Sequence, residues 1–347
     1  MDGLNHQQFP VGVRCMTYNQ SSFITDALNG FVLQRTRFPY VCMIVDDAST
    51  DGEQDVIRNY LDENFDWQDP SIALRKEADF GQVLFARHRS NQNCYFAVFF
   101  LKENHYRERK DKLVYFAGWL DCDYIALCEG DDYWTDPLKL QKQVDYMDAS
   151  PDCMLTVHAA NWRTGDDVFP YGCMDSVSKD FSVEELIRVG GFYFATASFM
   201  FRSGLDHDFP AWRQKARVGD YPLQILAGLR GTVHYLADTM CVYRYQREGS
   251  WSYRWQKDYA ANMAYQKNKI EWMTLFDEAT GHQYQGVVYD LLFSHYNSLF
   301  NAGEIGFGPY AKAVFRMKEK RYGRLLKDLV RYCIRPVSRL LKRSHAD

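Results

Sequence analysis

Five carboxylates in two short runs are the first chemistry this chain offers. Asp46 and Asp47 close the apolar run Tyr40–Val45, and Glu129, Asp131 and Asp132 follow the run Tyr124–Cys128. Hard oxygen ligands gathered at strand ends suit Mg²⁺ or Mn²⁺, which take one or two protein carboxylates and fill the rest of their shell with water and substrate phosphates. Acids at a strand end can also do no more than cap the next helix, and a lone Asp-Asp pair reads best that way. Two such runs, the second leading into Tyr133-Trp134, point instead to a metal-assisted phosphate site.

The elements that must hold these acids follow from periodicity. Val11–Thr17 reads as a strand, and 21–34 as a helix with Phe23, Ala27, Leu28 and Phe31 on one face. Tyr40–Val45 is a continuous apolar run of the kind buried in parallel sheets. Val56, Ile57, Tyr60 and Leu61 then recur at helical spacing, with Thr50 and Glu53 placed as a capping box. Ile72–Leu74 and Tyr124–Cys128 complete four strands, and Asp136 with Pro137 starts a helix to about Met147. Alternation of this kind predicts an α/β fold with a mostly parallel sheet flanked by helices. In such sheets ligands bind beyond the carboxyl ends of the strands, where the acids stand.

Elsewhere the pattern is looser. Between Gln82 and Trp119 it weakens, and Asn104–Lys112 reads as a charged surface loop or insertion. The second half reads as α+β: strands at Phe194–Arg202, Val233–Leu236 and Met240–Tyr245, and a helix at Tyr221–Leu229. From Trp255 to about Ile334 the chain reads as helical, broken near Gly281 and by the glycines at 303, 306 and 308.

Composition excludes several classes. The 347 residues are 46% hydrophobic and 16% aromatic, enough for a large core and wrong for a disordered chain. A net charge of −4 excludes a whole-chain nucleic-acid binder. That average conceals a tail, 311–347, of net charge +9 on a body of −13. Nine cysteines without a C-x-x-C pair read as reduced thiols rather than a disulfide framework or zinc site. The opening residues lack the apolar core of a secretory signal, and no run approaches the ~18 apolar residues of a spanning helix. The expected location is the cytoplasm, with the tail suggesting the inner face of the membrane. G-x-G-x-x-G, Walker A, G-x-S-x-G and H-E-x-x-H signatures are all missing.

VGVRCMTYNQ, VDDASTDG and ALCEGDDYWTDPLKLQKQV, in that order, resemble the motifs of family 2 glycosyltransferases of the GT-A fold, of the type that builds bacterial surface polysaccharides. The resemblance covers about residues 10–250. It implies an inverting transferase that moves a sugar from a nucleotide donor, a UDP-sugar by preference, to a hydroxyl of a glycan or lipid-linked acceptor with a divalent metal (Mn²⁺ or Mg²⁺). By the same resemblance Thr17, Tyr18 and Asn19 line the nucleoside pocket. Asp47 accepts the uracil N3–H, and Asp46 supports the turn. Asp131 and Asp132 meet metal and ribose, with Glu129 in the first position of the Asp-x-Asp region, where Asp is commoner.

RVGDYPLQILAGLRG resembles the acceptor-side segment, which makes Asp220 the expected base; a plain N-cap is the alternative, and Asp206 and Asp208 come next in line. YRYQREGSWS resembles a segment in which a His reaches the metal, but Gln246 stands there. Arg244 and Arg247 then become candidates to steady the diphosphate, and Trp134, Trp251, Tyr133 and Phe194 to stack on sugar rings. The tail carries Leu325, Leu329 and Cys333 amid Arg321–Arg343, a basic amphipathic pattern suited to an anionic leaflet, with Pro336 as a break.

The expected organisation is a GT-A domain over 1–250, with a nucleotide and metal half at 10–136 and an acceptor half at 137–250. A helical region with the basic tail follows over 251–347. Two rivals stand against the transferase. A nucleotidyltransferase would need a Gly-rich basic signature that Val11–Asn19 lacks. A non-catalytic carbohydrate-binding relative would be expected to have lost its acids, yet Asp131, Asp132 and Asp220 are all present.

Overall fold

A computed structural model describes residues 8–116, 122–173, 175–245 and 257–317, with isolated positions at 253, 323 and 326–329. Gln246, Arg247, Trp251 and most of the basic tail lie outside the described residues.

Thirteen strands share one mixed sheet. They are β1 (Val11–Thr17), β2 (Tyr40–Asp46), β3 (Phe65–Asp66), β4 (Ala73–Ala78), β5 (Gly81–His88), β6 (Cys94–Leu101), β7 (Tyr124–Leu127), β8 (Tyr133–Trp134), β9 (Cys153–Thr164), β10 (Asp167–Tyr171), β11 (Lys179–Phe181), β12 (Met200–Arg202) and β13 (Thr232–Arg244). Their order is β11-β13-β9-β12-β7-β1-β2-β6-β5-β3, with β4 on β5, β10 on β9 and β8 on β13. The central run β7-β1-β2-β6 is parallel. Every residue of β2 and β6 is buried, which is why both read as unbroken apolar runs.

Helices α1 (Ile24–Val32), α2 (Glu53–Asn64), α3 (His105–Glu108) and α4 (Lys139–Ala149) belong to the same half of the chain. α1 lays Ile24, Ala27, Leu28 and Phe31 into a core with Val11, Val13, Cys15, Tyr40, Cys42 and Ile44. Gly30 brings it still closer to β8, because a Cβ there would stand 2.8 Å from the Trp134 backbone nitrogen.

The later helices are α5 (Val183–Val189), α6 (Ala211–Lys215), α7 (Asp220–Arg230), α8 (Tyr259–Ala279), α9 (Gln285–Ala302) and α10 (Phe307–Arg316). The chain divides into two compact units. One holds the residues up to Ser182, Gly191–Asp208 and the stretch from Leu226 through β13; the other holds Val183–Gly190, Phe209–Ile225 and the helices from Tyr259 on. In the second unit α8 packs on α6 and α9, Trp272 stacking on Trp212 at 6.0 Å, and α10 closes on α9 through Tyr310 stacked on Phe300 at 4.6 Å. Among the described residues no helix is long and apolar enough to cross a membrane.

Several local expectations are corrected. The brief third strand expected at Ile72–Leu74 is β4, which runs on to Ala78 as a half-exposed edge strand, and the loosely patterned region supplies the fully buried β6. Phe194–Arg202 folds as a 3₁₀ turn at Thr196–Ser198 before the short β12. The two strands expected after Val233 are one strand, β13, with register shifts between Leu236 and Cys241. α4 starts at Lys139, two residues beyond Pro137, while the Asp136 carboxylate takes the Leu138 N–H at 2.7 Å. No capping box joins Thr50 to Glu53: the N-cap of α2 is Gly52, in a left-handed conformation at φ 89°.

Candidate functional site

Parallel hydrogen bonding continues past the strand ends and gathers the two acidic runs. Thr17 pairs in register with Asp46, and the Asp47 N–H donates to the Thr17 carbonyl at 3.0 Å. On the other flank the Cys128 N–H reaches the Arg14 carbonyl and the Gly130 N–H the Met16 carbonyl, both at 3.1 Å. Asp46-Asp47 and Glu129–Asp132 therefore stand on either side of the end of β1. Gly130 permits the approach, since a Cβ there would lie 2.4 Å from the Thr17 Oγ1 and 2.5 Å from the Gln20 Oε1.

Glu53 ties this end together. Fully buried, it accepts the Thr17 hydroxyl through Oε1, and through Oε2 the Gln20 N–H at 2.8 Å and the Ser49 hydroxyl at 2.8 Å. Burial pushes its carboxyl up, against the pull of these donors. Asn19 and Ala48, in the two facing turns, both hold positive φ (53° and 61°). Asn tolerates that conformation, whereas Ala48 carries real strain, a frequent mark of functional turns. The turns are laced by the Asn19 N–H to the Ser49 Oγ and the Thr50 N–H to the Asn19 Oδ1. Beside them Tyr18 keeps 42% of its surface exposed.

Asp46 is wholly buried. Its Oδ1 takes the Ser49 N–H and the Gln54 amide, and its Oδ2 has no hydrogen-bond partner among the described residues. Burial raises its pKa from the usual carboxylate value. Asp47 is also buried, and it receives the N–H groups of His105 (2.6 Å) and Tyr106 (3.1 Å) and the Lys112 ammonium (3.0 Å).

Across β1, Glu129 is exposed while Asp131 and Asp132 are buried. Burial, and then the charge of Asp131, push the Asp132 carboxyl well up; the Arg244 N–H to its Oδ1 at 2.9 Å opposes them. Two crowded carboxylates suit a doubly charged ion that brings its own phosphate ligands. Among the described residues no three His, Cys, Asp or Glu side chains converge as a self-sufficient cage. Asp131 and Asp132 thus fit a shared protein–phosphate site and not a closed protein one.

Arg244 is committed to the protein. It donates to the Asp131 carbonyl at 2.5 Å and to the Asp26 carboxylate, and its guanidinium lies over the rings of Phe23 (5.0 Å) and Tyr133 (4.6 Å). That arrangement fixes the acidic loop rather than presenting a free fork. Trp134 is likewise no open stacking face: it is 2% exposed, donates to the Ala197 carbonyl and packs on Phe31 at 5.0 Å. Phe194 is buried as well. Beneath Trp134, 4.0 Å from its ring centre, lies the buried Lys139 ammonium, bonded to the Gln143 Oε1 and held at a pKa of about 7 by desolvation.

In the second unit Asp220 opens α7, half-buried, its Oδ1 accepting the Tyr221 N–H at 2.7 Å. The buried Lys269 ammonium sits 3.6 Å over the Tyr221 ring; burial lowers its pKa to about 7, and the charge of Asp220 opposes that fall. Asp206, next in line as a base, belongs to the first unit, in a buried ion pair with Arg14.

No known family profile matches the chain. Uncharacterised proteins of Mycobacterium tuberculosis and Mycobacterium bovis are 34% identical over 241 residues, which is 68% of this chain and 59% of theirs. The chain thus spans 59% of the length of the relatives it matches. Among solved structures, residues 1–349 of S. aureus TarS superpose with a TM-score of 0.54 at 14% identity, covering 89% of this chain and 81% of that one. The same protein in complex with UDP-GlcNAc gives 0.53 at 15% identity over 88% and 79%. The chain shares the fold of TarS. At such identity the likeness is one of fold alone.

Sequence reasoning missed Glu53, Gly130 and Lys112. Glu53 has a local partner in Thr50 that masks its distant ones, and Lys112 sits in a run that reads as solvated charge. Gly130 did carry a signal, a single glycine set among three acids.

Proposed function

We propose that the protein is a metal-dependent inverting glycosyltransferase, taking its sugar from a nucleotide donor, a UDP-sugar by preference. The acceptor is a hydroxyl of a glycan or lipid-linked saccharide in surface-polysaccharide synthesis. The observation that carries the reading is the pairing of two acidic runs on either side of Thr17 at the carboxyl ends of parallel strands. The fold shared with TarS, whose structure holds UDP-GlcNAc, supports a uridine donor.

In this reading Thr17, Tyr18 and Asn19 border the nucleoside, Asp47 accepts from its base and Asp46 supports the turn. Asp131 and Asp132 hold Mn²⁺ or Mg²⁺, Glu129 acting from the rim. When bound, such an ion neutralises charge on the leaving diphosphate. Arg244 keeps the acidic loop in place through the Asp131 carbonyl and the Asp132 carboxylate. Asp220 takes the proton from the acceptor hydroxyl as the new glycosidic bond forms. Arg247 and Trp251 serve the diphosphate and acceptor, and the basic tail meets an anionic leaflet from the cytoplasmic side.

The test is donor turnover. UDP-sugar hydrolysis or transfer should stop in excess chelator and return with Mn²⁺. Asp132→Ala should lose most activity while its circular dichroism stays native. Full turnover in chelator would remove the metal from the reaction.

A further inference from the structure

Lys269, in the middle of α8, is 3% exposed, and its ammonium is enclosed by rings: it stands 3.6 Å from the centre of Tyr221 and 5.0 Å from that of Trp272. Among the described residues it makes no hydrogen bond and no ion pair. A buried cation held by ring faces alone gives up its proton more readily than a hydrated lysine. The acid whose charge reaches it is Asp220. The Oδ1 of Asp220 takes the N–H of Tyr221, the same residue whose ring carries the ammonium. The charge of Asp220 also acts on Tyr265, one turn from Lys269 on α8. All of these residues belong to the second unit.

Around Lys269, α7 contributes Asp220 and Tyr221, and α8 itself contributes Tyr265 and the Lys267 that pairs with Glu304. α9 contributes His295, bonded to Gln266, and α6 contributes Arg213, which donates to the Gly219 carbonyl, and the exposed Lys215. Burial, and then the charge of Asp220, pushes Tyr265 up to about 12, and burial pushes Tyr221 well up, so neither phenol ionises near neutral pH. Burial, and then the charge of Lys269, brings His295 down to about 4, so it is neutral there. Lys269 is brought to about 7 by burial, against the opposing charge of Asp220, and its own charge therefore changes between pH 6 and 8.

We propose that Lys269 is a positioning residue for the transfer reaction, acting through Asp220: while charged it weakens the carboxylate as a base, and when neutral it releases it. This rests on Asp220 as the base of the proposed transferase. In the transfer step the acceptor oxygen bonds to the anomeric carbon. The bond from that carbon to the phosphate oxygen breaks, its electron pair leaving on the nucleoside diphosphate, and the acceptor hydroxyl proton passes to Asp220. An ammonium nearby favours the ionised carboxylate and so opposes that last movement. A weaker base gives a slower proton transfer. Lys269 thus ties the working pH of the base to a group that never touches the substrate.

The experiment follows UDP release by the full chain from the fastest UDP-sugar of a panel, with Mn²⁺ and with water as the acceptor, from pH 6 to 8. The wild-type rate should rise about tenfold through a midpoint near 7. Lys269→Met keeps the length and removes the charge, and its rate should stay flat across the window at the upper level. A second measurement needs no turnover: NMR of the chain labelled with ¹³C at the lysine Cε atoms. The resonance missing from Lys269→Met should titrate near 7 in the wild type, and at lower pH in Asp220→Asn, where the opposing charge is gone. A midpoint that survives Lys269→Met, or a Lys269 resonance that Asp220→Asn leaves in place, would overturn the coupling and leave the transferase reading standing. Normal turnover by Asp220→Asn, or none by the wild type with any UDP-sugar, would bring down the base and this inference with it.

Discussion

Gly130 and Thr17 stand so close that a Cβ on the glycine would lie 2.4 Å from the threonine hydroxyl. That hydroxyl is already bonded to Glu53, so it has nowhere to retreat. Gly130→Ala should therefore push the acidic loop away from β1, at an overpacking cost of about 1–3 kcal/mol. The expected result is a lowered urea midpoint together with loss of UDP binding in a folded protein. A variant that binds UDP normally would show that the close approach is not needed for the site.

Arg244→Lys tests what holds the acidic loop. The fork to the Asp131 carbonyl and Asp26 cannot be reproduced by a single ammonium. Asp26 is half exposed, and that contact contributes little. The buried bond to the Asp131 carbonyl decides the outcome, and its loss should cost about 1–3 kcal/mol. Denaturant unfolding would register that cost, and an unchanged midpoint would refute the role.

Lys139 makes a prediction about pH. Unfolded, a lysine binds its proton near pH 10.4; folded, Lys139 does so near 7. Between those values the unfolded chain holds the extra proton, so this group makes stability rise with pH and imposes its full penalty below pH 7. Lys139→Met should remove that rise, on the order of a few kcal/mol across the window. Only the difference between wild type and variant is diagnostic, because buried thiols and phenols pull the other way above about pH 8.5. Parallel curves for the two proteins from pH 7 to 10 would mean that Lys139 stays charged.

Asp220→Asn separates base from cap. Asparagine caps helices about as well as aspartate, so stability should change by no more than about 0.5 kcal/mol. UDP affinity should persist, since every acid near β1 is intact. Sugar transfer should fall by ~10²–10⁴-fold, the usual share of a general base. Normal transfer by this variant would leave Asp220 as a cap only.

The legible parts of this fold are those decided locally. β1, β2 and β7 end within one residue of where apolar runs meet polar or acidic residues, so that change alone places them. β6 does not, because eight consecutive apolar residues suit a buried helix as well as a strand. β13 was split by Ala237-Asp238, a break the strand absorbs as a register shift. Within the site, the acids were visible as residues, and their bonding was not. Glu53 answers to Thr17 and Gln20, more than thirty positions away. Trp134 beside two acids looks like a ligand platform, and only its bond to the Ala197 carbonyl, 63 residues on, makes it a core anchor.

The eight cysteines among the described residues are all buried, and desolvation raises the thiols of Cys15, Cys42 and Cys128 well above their ordinary range. Thiols in that condition are chemically silent. Cys15 and Cys42 lie on adjacent central strands, β1 and β2, in the core that α1 also lines, so an alkylating reagent can reach them only when that core opens. Their rate of modification is then an internal clock for opening of the core at its centre, readable by mass spectrometry from the mass the reagent adds.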